Sequence, residues 1–353
     1  MMSFRGGRLG RFSLPVSSVW LMTDVAEAKG RQDLYVKQSP QLLEVLRDIA
    51  LIESVESSNR IEGVTVAARR LRPLVVENVK PRDRSEEEIQ NYRRALDLIH
   101  TNAGRLPITP ELLQQLHALV QDGSGDAGQW KSIDNEIIEM REGAPPLVRF
   151  QPLPAAETPE AVTELCRSYR HALDQEHVPP LVAISALILD FLCIHPFRDG
   201  NGRVSRLLTL LALCDHGYEV GRYISLERLI EEARDDYYDV LHRSSQGWHQ
   251  SRHDPLPWLN FNLAILRRAY GSLEARAGEA RQKPGVKRML VEDAVAHFGA
   301  EFSFAELVRT CPGVSRDMVR RALHDLRKAG TVESLGRGPG ARWRRRGNAP
   351  KKG

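Results

Sequence analysis

The feature that most restricts the fold of this 353-residue chain is an apolar run that ends abruptly in a polar loop. Residues 181–194 contain only two polar side chains, Ser185 and Asp190. The run predicts a buried helix and is too short to span a bilayer. Pro196 has no backbone N–H and breaks this helix, and a second apolar helix is predicted from Arg203. A short polar loop therefore joins two core helices.

The loop between these helices has the composition of an anion-binding turn. Gly200, Asn201 and Gly202 can adopt the positive φ values of a tight turn, so that successive N–H groups converge on an anion. The N-terminus of the following helix adds a partial positive charge. Arg203 and Arg206 are three residues apart on one helix face, so both can reach the same anion.

Two titratable side chains complete the loop. Asp199 is its only carboxylate, and one carboxylate with phosphate oxygens and water is a common Mg²⁺ site. His195 has an ordinary pKa near ~6.5, which suits removal of a proton from an attacking hydroxyl. A plain helix–helix turn with surface arginines explains each residue singly but not the whole set. The loop lacks the end of a Walker A motif, and no second His or Cys stands at zinc-ligand spacing.

Residues 195–206 match the Fic motif HxFx(D/E)GNGRxxR at every specified position, so the chain resembles Fic-domain proteins. The resemblance runs from about residue 40 to 275 and includes residues 128–131, where Arg is more usual than Lys131. It implies an all-α Fic-type helical core with a β-hairpin flap. It also implies a protein adenylyltransferase that moves AMP from ATP to a Ser, Thr or Tyr hydroxyl of a target protein, or of itself.

The resemblance assigns a role to each motif residue. His195 is the general base, Phe197 anchors the loop in the core, and Asp199 binds Mg²⁺. Ordinary helix core is the alternative for the base-pocket residues, and residues 245–246 lack the Asn often found near them. The ATP-binding set consists of Gly200, Asn201 and Gly202 as the anion hole, Arg203 and Arg206 on the β- and γ-phosphates, and Tyr237 and Leu241 at the adenine.

A second motif lies far upstream, between Ser58 and Gly63. Ser58 and Glu62 are four residues apart and share a helix face. Glu62 falls in a last helical turn, where a carboxylate opposes the helix dipole by about 0.3–1 kcal/mol. Neutralisation by Arg60 is the simple explanation. The motif also resembles the Fic inhibitory sequence (S/T)xxxE(G/N), which implies that Glu62 pairs with Arg206 and keeps ATP from binding productively.

The intact motif leaves related reactions open. Transfer of UMP, phosphate or phosphocholine, or removal of AMP by a water that Glu62 positions, would use similar residues. The complete GNGR sequence and Arg206 favour a triphosphate over phosphate transfer. Target selection is expected in the flap, near residues 132–150, which can add a peptide as an extra strand. The flap is predicted from β-like pieces at 132–138 and 147–150.

The C-terminal segment differs from the rest of the chain in charge. From residue 281 onward there are 17 Lys and Arg against 7 Asp and Glu, a net charge of +10. Because the whole chain carries +4, the remainder carries −6. Ser303 and Ser315 each precede a helical pattern, and Gly330 closes the second one. Strand-like pieces at 331–335 and 341–346 follow, and this order is the outline of a winged helix.

The second of these C-terminal helices carries several arginines on its polar face. An excess of positive charge favours an anionic partner, so DNA is one partner that residues 286–346 can bind. A solvated face on a protein-interaction module is the alternative, and a DNA-binding regulator with a Fic core as its sensor is a third class of function. The arginines are Arg316, Arg320, Arg321 and Arg327.

Four regions follow from these patterns. Residues 1–38 are rich in Gly and Arg and are expected to form an arm with little regular structure. Helices are predicted to begin at Pro40, Ser85 (as N-cap), Pro110, Thr158, Pro180, Arg203, Leu226 and Pro257. The regions are an N-terminal arm and helices with the inhibitory motif (1–104), the Fic catalytic core (105–280), the winged-helix-like domain (286–346) and a basic tail (347–353).

Cysteine usage and the N-terminus bear on the compartment. Cys166, Cys193, Cys214 and Cys311 have no CxxC spacing, which indicates buried free thiols and a reducing compartment rather than a disulfide framework. Residues 1–14 have no continuous apolar core of the kind found in secretory signals. We therefore expect a cytoplasmic protein without membrane contact. A homodimer stays open, because apolar helices can dimerise but no heptad is sustained.

Overall fold

The computed structural model describes residues 2–38, 40–141, 144–282, 286–298, 301–311, 314–336, 338 and 341–345. The described chain is mostly helical. Its helices are α1 (Val16–Gln38), α2 (Pro40–Ile61), α3 (Ala68–Val75), α4 (Arg84–Asn102), α5 (Pro110–Val120), α6 (Thr158–Asp174), α7 (Pro180–Ile194), α8 (Asn201–Asp215), α9 (Leu226–Glu232), α10 (Arg234–Ser245), α11 (Leu256–Gln282), α12 (Val286–His297), α13 (Phe304–Thr310) and α14 (Arg316–Lys328). The strands are β1 (Ile137–Arg141), β2 (Ala144–Phe150), β3 (Phe302–Ser303), β4 (Val332–Ser334) and β5 (Arg342–Arg345).

Helix α7 lies at the centre of the larger hydrophobic core. Every residue from Leu181 to Ile194 is buried, including Ser185 and Asp190, which confirms the predicted core helix. Helices α6, α8 and α11 pack around it, and α10 contacts it as well. Since α7 and α8 are neighbours, the polar loop between them is held at the rim of this core.

Strands β1 and β2 form the antiparallel hairpin that the sequence predicts as a flap. Ile137 lies opposite Phe150, and Glu139 lies opposite Leu147. The first strand begins at Ile137 rather than at Ser132. Residues 132–136 were predicted as part of this strand, and two of them instead bind backbone groups elsewhere: Asp134 Oδ1 accepts from Ala155 N–H (2.6 Å), and Asn135 Nδ2 donates to the Phe197 carbonyl (3.2 Å).

Residues 286–345, here called the C-terminal module, build a second, smaller core. Helices α12, α13 and α14 pack together beside an antiparallel sheet of order β3-β5-β4. Ser303 and Ser315 cap α13 and α14 as predicted, and Gly330 has the positive φ of a helix end. The predicted linker 284–285, most of the glycine-rich turn and the tail 347–353 lie outside the described residues.

The expectation that residues 1–38 have little regular structure is wrong. Two 3₁₀ turns, Arg5–Gly7 and Leu9–Arg11, are followed by the long helix α1, which packs along α11. Ser3, Phe4 and Leu9 are buried in the larger core. Gly and Arg are frequent only before Phe12, and the buried positions of α1, such as Val25 and Ala28, are too few to form an apolar stripe in the sequence.

Three other helix predictions need correction. Helix α4 is capped by Asp83 rather than Ser85, because the Asp83 carboxylate accepts from Glu86 N–H (2.9 Å). Helix α8 starts at Asn201 rather than Arg203, so only Gly200 of the glycine turn has a positive φ (77°). Helix α3 was not predicted, and Ala233 separates α9 from α10.

Two further expectations concern the cysteines and the lengths of the apolar helices. All four cysteines are buried, as predicted, and none forms a disulfide among the described residues. None of the helices in the described ranges has both the length and the apolar character that a membrane crossing requires.

Candidate active site

His195 ends α7 in a left-handed backbone conformation (φ 49°, ψ 62°) that residues other than Gly seldom adopt. Its N–H donates to the Phe191 carbonyl (2.9 Å), and its ring Nδ1 lies 3.3 Å from the Leu192 carbonyl. The tautomer that satisfies this contact carries its proton on Nδ1 and leaves Nε2 as an acceptor. Burial, together with the nearby charge of Lys131, lowers the pKa of His195 to about 4, so the ring is neutral at pH 7.

Lys131 holds the backbone on both sides of His195. Its Nζ donates to the Ile194 carbonyl (3.1 Å) and to Asn135 Oδ1 (2.9 Å), and its own N–H donates to the Pro196 carbonyl (2.9 Å). Burial lowers the pKa of this ammonium group to about 8. Lys131, at the position where Arg is more usual, thus positions the loop that carries His195.

Phe197 fastens the loop to the core. Its ring is fully buried and stacks on His117, with ring centroids 3.8 Å apart, and on Trp130 at 4.9 Å. The Asn201 side chain accepts from Phe197 N–H (2.9 Å) and donates to the Phe197 carbonyl (2.7 Å). Because both ends of the Asn201 amide are engaged, any contact that Asn201 makes with an anion falls to its backbone N–H.

Asp199 is held from outside the motif by His117 of α5 and by Gln121, the residue that caps the end of α5. Gln121 Nε2 donates to Asp199 Oδ2 (3.0 Å), and His117 Nε2 lies 3.1 Å from the Asp199 carbonyl. His117 Nδ1 accepts from Gly128 N–H (2.9 Å), which makes Nε2 the donor to Asp199. The sequence analysis did not identify these residues. The available signal was a polar pair at i and i+4 within a leucine-rich helix.

The N-terminus of α8 lies at the loop where the sequence predicts an anion-binding turn. Gly200 turns the chain, and the first amides of α8 have no acceptor within their own helix. A β-carbon placed on Gly202 would collide with Glu62 Oε1. The carboxylate of Glu62 therefore lies directly against this helix end, where an anion is stabilised.

Ser58 and Glu62 both bind Arg206. The guanidinium donates from Nη2 to Glu62 Oε1 (2.7 Å) and to the Ser58 carbonyl (3.0 Å), and from Nε to Ser58 Oγ (2.9 Å). Arg206 is buried, which disfavours its charge, but the attraction of Glu62 outweighs this and raises its pKa. Gly63 follows with φ 82° and ends the helix. The structure thus brings together the two motifs that lie some 140 residues apart in the sequence.

Arg203 is held by a different acid, Glu88 of α4, which lies outside both motifs. Its Nη1 donates to Glu88 Oε2, its Nη2 lies 3.8 Å from Asp199 Oδ2, and its buried Nε has no hydrogen-bond partner among the described residues. Only 3% of the side chain is exposed. The two arginines of the motif therefore face separate carboxylates.

The structure places the two base-pocket candidates at the edge of the larger core. Tyr237 is buried, with its ring 5.4 Å from that of Trp258 and 5.8 Å from that of Phe261. Burial raises the pKa of Tyr237 to about 12, although the nearby Arg206 opposes the shift. Leu241 is half-buried against the same core. Both side chains pack in or against the larger core, and Tyr237 also lies near Arg206.

The donor set fits Mg²⁺ only as a site that the nucleotide completes. Within the described ranges, no group of three or more His, Cys, Asp or Glu side chains could hold a metal ion. Asp199 is 76% exposed, and each of its carboxylate oxygens accepts one hydrogen bond, from Gly200 N–H and from Gln121. Free lone pairs therefore remain for one cation whose other ligands are phosphate oxygens and water.

Comparisons with known proteins agree with this geometry. Residues 107–213 match the sequence model of the Fic/DOC family. A Fido domain-containing protein of Dictyostelium discoideum is 28% identical over 124 residues, which are 33% of this chain and 82% of that protein.

Two solved structures share the fold at low sequence identity. A Fic family protein from Desulfovibrio desulfuricans is 23% identical, with a TM-score of 0.60, and covers 96% of this chain and 98% of its own. A Fic domain-containing signaling protein from Bacteroides thetaiotaomicron is 22% identical, with a TM-score of 0.61, and covers 72% of this chain and 98% of its own. The described chain thus has a Fic-type helical fold with a β-hairpin.

Proposed function

Because the chain carries a Fic/DOC-family domain at residues 107–213, we propose that it is a protein adenylyltransferase, inhibited in the described arrangement by Glu62. Members of this family commonly transfer AMP or other nucleotide groups onto proteins. One observation carries the proposal for this chain. A neutral imidazole with a free Nε2 stands at the same loop as an anion cradle lined by two arginines.

In the proposed reaction, His195 Nε2 accepts the proton of a target hydroxyl while that oxygen attacks the α-phosphorus of ATP. The new P–O bond forms as the bond to the bridging oxygen breaks, and pyrophosphate leaves with the electron pair. The amides at the start of α8 receive the phosphate oxygens, and Arg203 and Arg206 face the β- and γ-phosphates. Asp199 would hold Mg²⁺, which offsets phosphate charge when bound.

Glu62 opposes this reaction in two ways. Its carboxylate takes the Nη2 donor of Arg206 that a γ-phosphate would use. It also lies against Gly202, at the helix end that would receive phosphate oxygens. A negative charge at this place repels the nucleotide, so release of Glu62 is a condition for productive binding.

The proposal is tested by incubating the purified chain with ATP labelled in its α-phosphate, with and without cell lysate. We expect Glu62→Gly to raise labelling of the enzyme and of lysate proteins well above the native level, and the adduct to have the mass of an AMP group. Glu56→Gly is the matched control, because Glu56 is a half-exposed acid of the same helix that pairs with Arg60. It should label like the native chain.

A double variant separates the role of His195 as base from the inhibitory role of Glu62. Adding His195→Ala to Glu62→Gly should abolish labelling while ATP binding, measured by calorimetry, persists. Labelling that survives the loss of His195 would remove its role as base. Unchanged labelling in Glu62→Gly would remove the inhibitory role of Glu62, and a UMP or phosphate adduct would change the reaction class.

A further inference from the structure

Beyond the proposed transfer reaction, we propose that the C-terminal module docks on double-stranded DNA through the exposed face of α14. The inference depends on how charge is placed on this helix. Residues 281–353 carry a net charge of +10 on a chain whose total is +4. The structure shows where that charge is available to a partner.

Helix α14 has one apolar and one basic face. Val319, Ala322, Leu323 and Leu326 are buried in the core of the module. The exposed basic residues follow the rest of the helix surface from its first turn to its last: Arg316, Arg320, Arg321, Arg327 and Lys328. Twelve steps of about 1.5 Å spread these side chains over about 18 Å.

Most of this charge has no acidic partner in the part of the chain that the structure describes. Among the described residues, only Arg320 of the five forms an ion pair, with Asp317 at 2.9 Å. Arg316 and Arg320 lie over the Phe304 ring of α13, 5.7 and 5.5 Å from its centroid, which keeps them together at the first turn. By contrast, Arg342 and Arg344 on β5 face Glu301 and Glu333. Among the described residues, α14 thus carries four exposed basic side chains that form no ion pair: Arg316, Arg321, Arg327 and Lys328.

The exposed face of α14 also has no described polar contact with the larger core. Where they are described, the hydrogen bonds, ion pairs and cation–π contacts of this helix all stay inside the module. The module instead meets the larger core through α13, where Arg72 Nη2 donates to the carbonyl of Thr310. Helices α12 and α13 pack on the inner side of α14, so its outer side is free to approach a ligand.

Duplex DNA fits this surface better than other polyanions. Helix α14 has 13 residues, and one of its faces is exposed. A single helix of this kind fits a major groove about 12 Å wide, and its arginines can reach the flanking phosphates. Single-stranded nucleic acid is bound mainly by aromatic stacking. Helix α14 contains no Phe, Tyr or Trp, so its outer face offers charge and hydrogen-bond donors but no stacking platform.

The test is fluorescence anisotropy of the full chain with a labelled mixed-sequence duplex, over a salt series from about 50 to about 200 mM. We expect binding that weakens steeply with salt. Arg321→Glu with Lys328→Glu should weaken binding about tenfold or more and make the slope of log affinity against log salt shallower by about 2. The matched control is Arg69→Glu with Arg105→Glu, two exposed arginines of the larger body with the same charge change.

Three outcomes would overturn the proposal. The first is equal loss of binding in both double variants, which would show a response to net charge alone. The second is binding of polyglutamate or of single-stranded DNA as tight as that of the duplex, which would assign α14 to another class of partner. The third is absence of duplex binding by the native chain at the lowest salt. The exchanged side chains are exposed, so each variant should remain folded. Thermal melting by circular dichroism checks this.

Discussion

At the scale of single residues, positions outside the motif decide how the motif residues behave. Lys131 secures the carbonyls of Ile194 and Pro196 around the base. Gln121 holds the carboxylate of the metal-ligand candidate Asp199. These contacts fix the left-handed backbone of His195 and the exposed position of Asp199, which a flexible loop of the same composition would not maintain.

The first residue-scale prediction concerns pH. A base acts only when it is unprotonated. The pKa of His195 is about 4 with Glu62 present, and loss of the Glu62 charge lowers it further, so transfer by Glu62→Gly should rise with pH only below about 4 and stay flat through neutrality. Lys131→Met removes a neighbouring positive charge that lowers this pKa, so the acid limb of log kcat/KM should move to higher pH. Lys80→Met, an exposed site, is the control. An acid limb that does not move with Lys131→Met would contradict the electrostatic link.

The second residue-scale prediction concerns the metal. Gln121→Ala removes a hydrogen bond that orients the Asp199 carboxylate, so the Mg²⁺ concentration for half-maximal labelling should rise about tenfold. The rate at saturating Mg²⁺ should change little, and addition of a chelator should stop labelling in every variant. Gln115→Ala, on the exposed side of the same helix, should match the parent. A loss of rate that Mg²⁺ cannot restore would point to loop collapse instead.

At the scale of elements, the α8 N-terminus and the end of α2 share one space. Gly202→Ala should cost about 1 kcal/mol of unfolding free energy, because the new methyl group makes the flexible Glu62 carboxylate turn away from Arg206 and lose that hydrogen bond. In the Glu62→Gly background that cost should largely disappear, and urea unfolding of the four proteins gives the coupling. Gly271→Ala in α11 has open space and should be neutral or stabilising by up to about 1 kcal/mol. Independent costs for Gly202→Ala and Glu62→Gly would mean that the two groups do not meet.

The elements that were predictable are those whose signal is local. Helix α7 is predicted by an uninterrupted apolar run, and the caps of α13 and α14 are predicted by a serine directly before each helical pattern. The structure confirms all three at the predicted positions. Helix α1 was missed because its burial depends on α11, far along the chain. Within the site, the motif residues were predictable, whereas Glu88 reaches Arg203 only through the packing of α4 near α8. No spacing within one segment encodes that contact.

At the scale of the whole molecule, a buried polar network ties the N-terminal segment to the helix that ends at His195. Asp190 accepts from Ser3 N–H (3.1 Å), from Ser3 Oγ (2.6 Å) and from Trp248 Nε1 (2.6 Å). Ser3 Oγ also lies 2.9 Å from His253 Nε2. Burial raises the pKa of Asp190, while its hydrogen bonds act against that shift. Three distant segments thus meet at one carboxyl group inside α7.

Ser3→Ala should therefore destabilise the whole larger core, although it lies near the start of the chain. It removes one donor to Asp190 and leaves His253 without its hydroxyl partner, at a cost of about 1–3 kcal/mol. Urea unfolding followed by tryptophan fluorescence measures the change. Ser17→Ala, an exposed serine nearby, should alter stability by less than about 0.5 kcal/mol. Equal effects of the two substitutions would mean that the network adds nothing to stability.

The two contacts of Ser58 with Arg206 have a consequence for how fast Glu62 can be released. Ser58 binds the guanidinium through both its hydroxyl and its carbonyl, so the arginine stays aimed when Glu62 lets go. Glu62 is 29% exposed and has solvent to turn into. Release then needs only a side-chain rotation on the picosecond to nanosecond timescale, whereas undocking a helix takes microseconds or longer. The Glu62–Arg206 pair would then break and re-form many times while a nucleotide is close to the site.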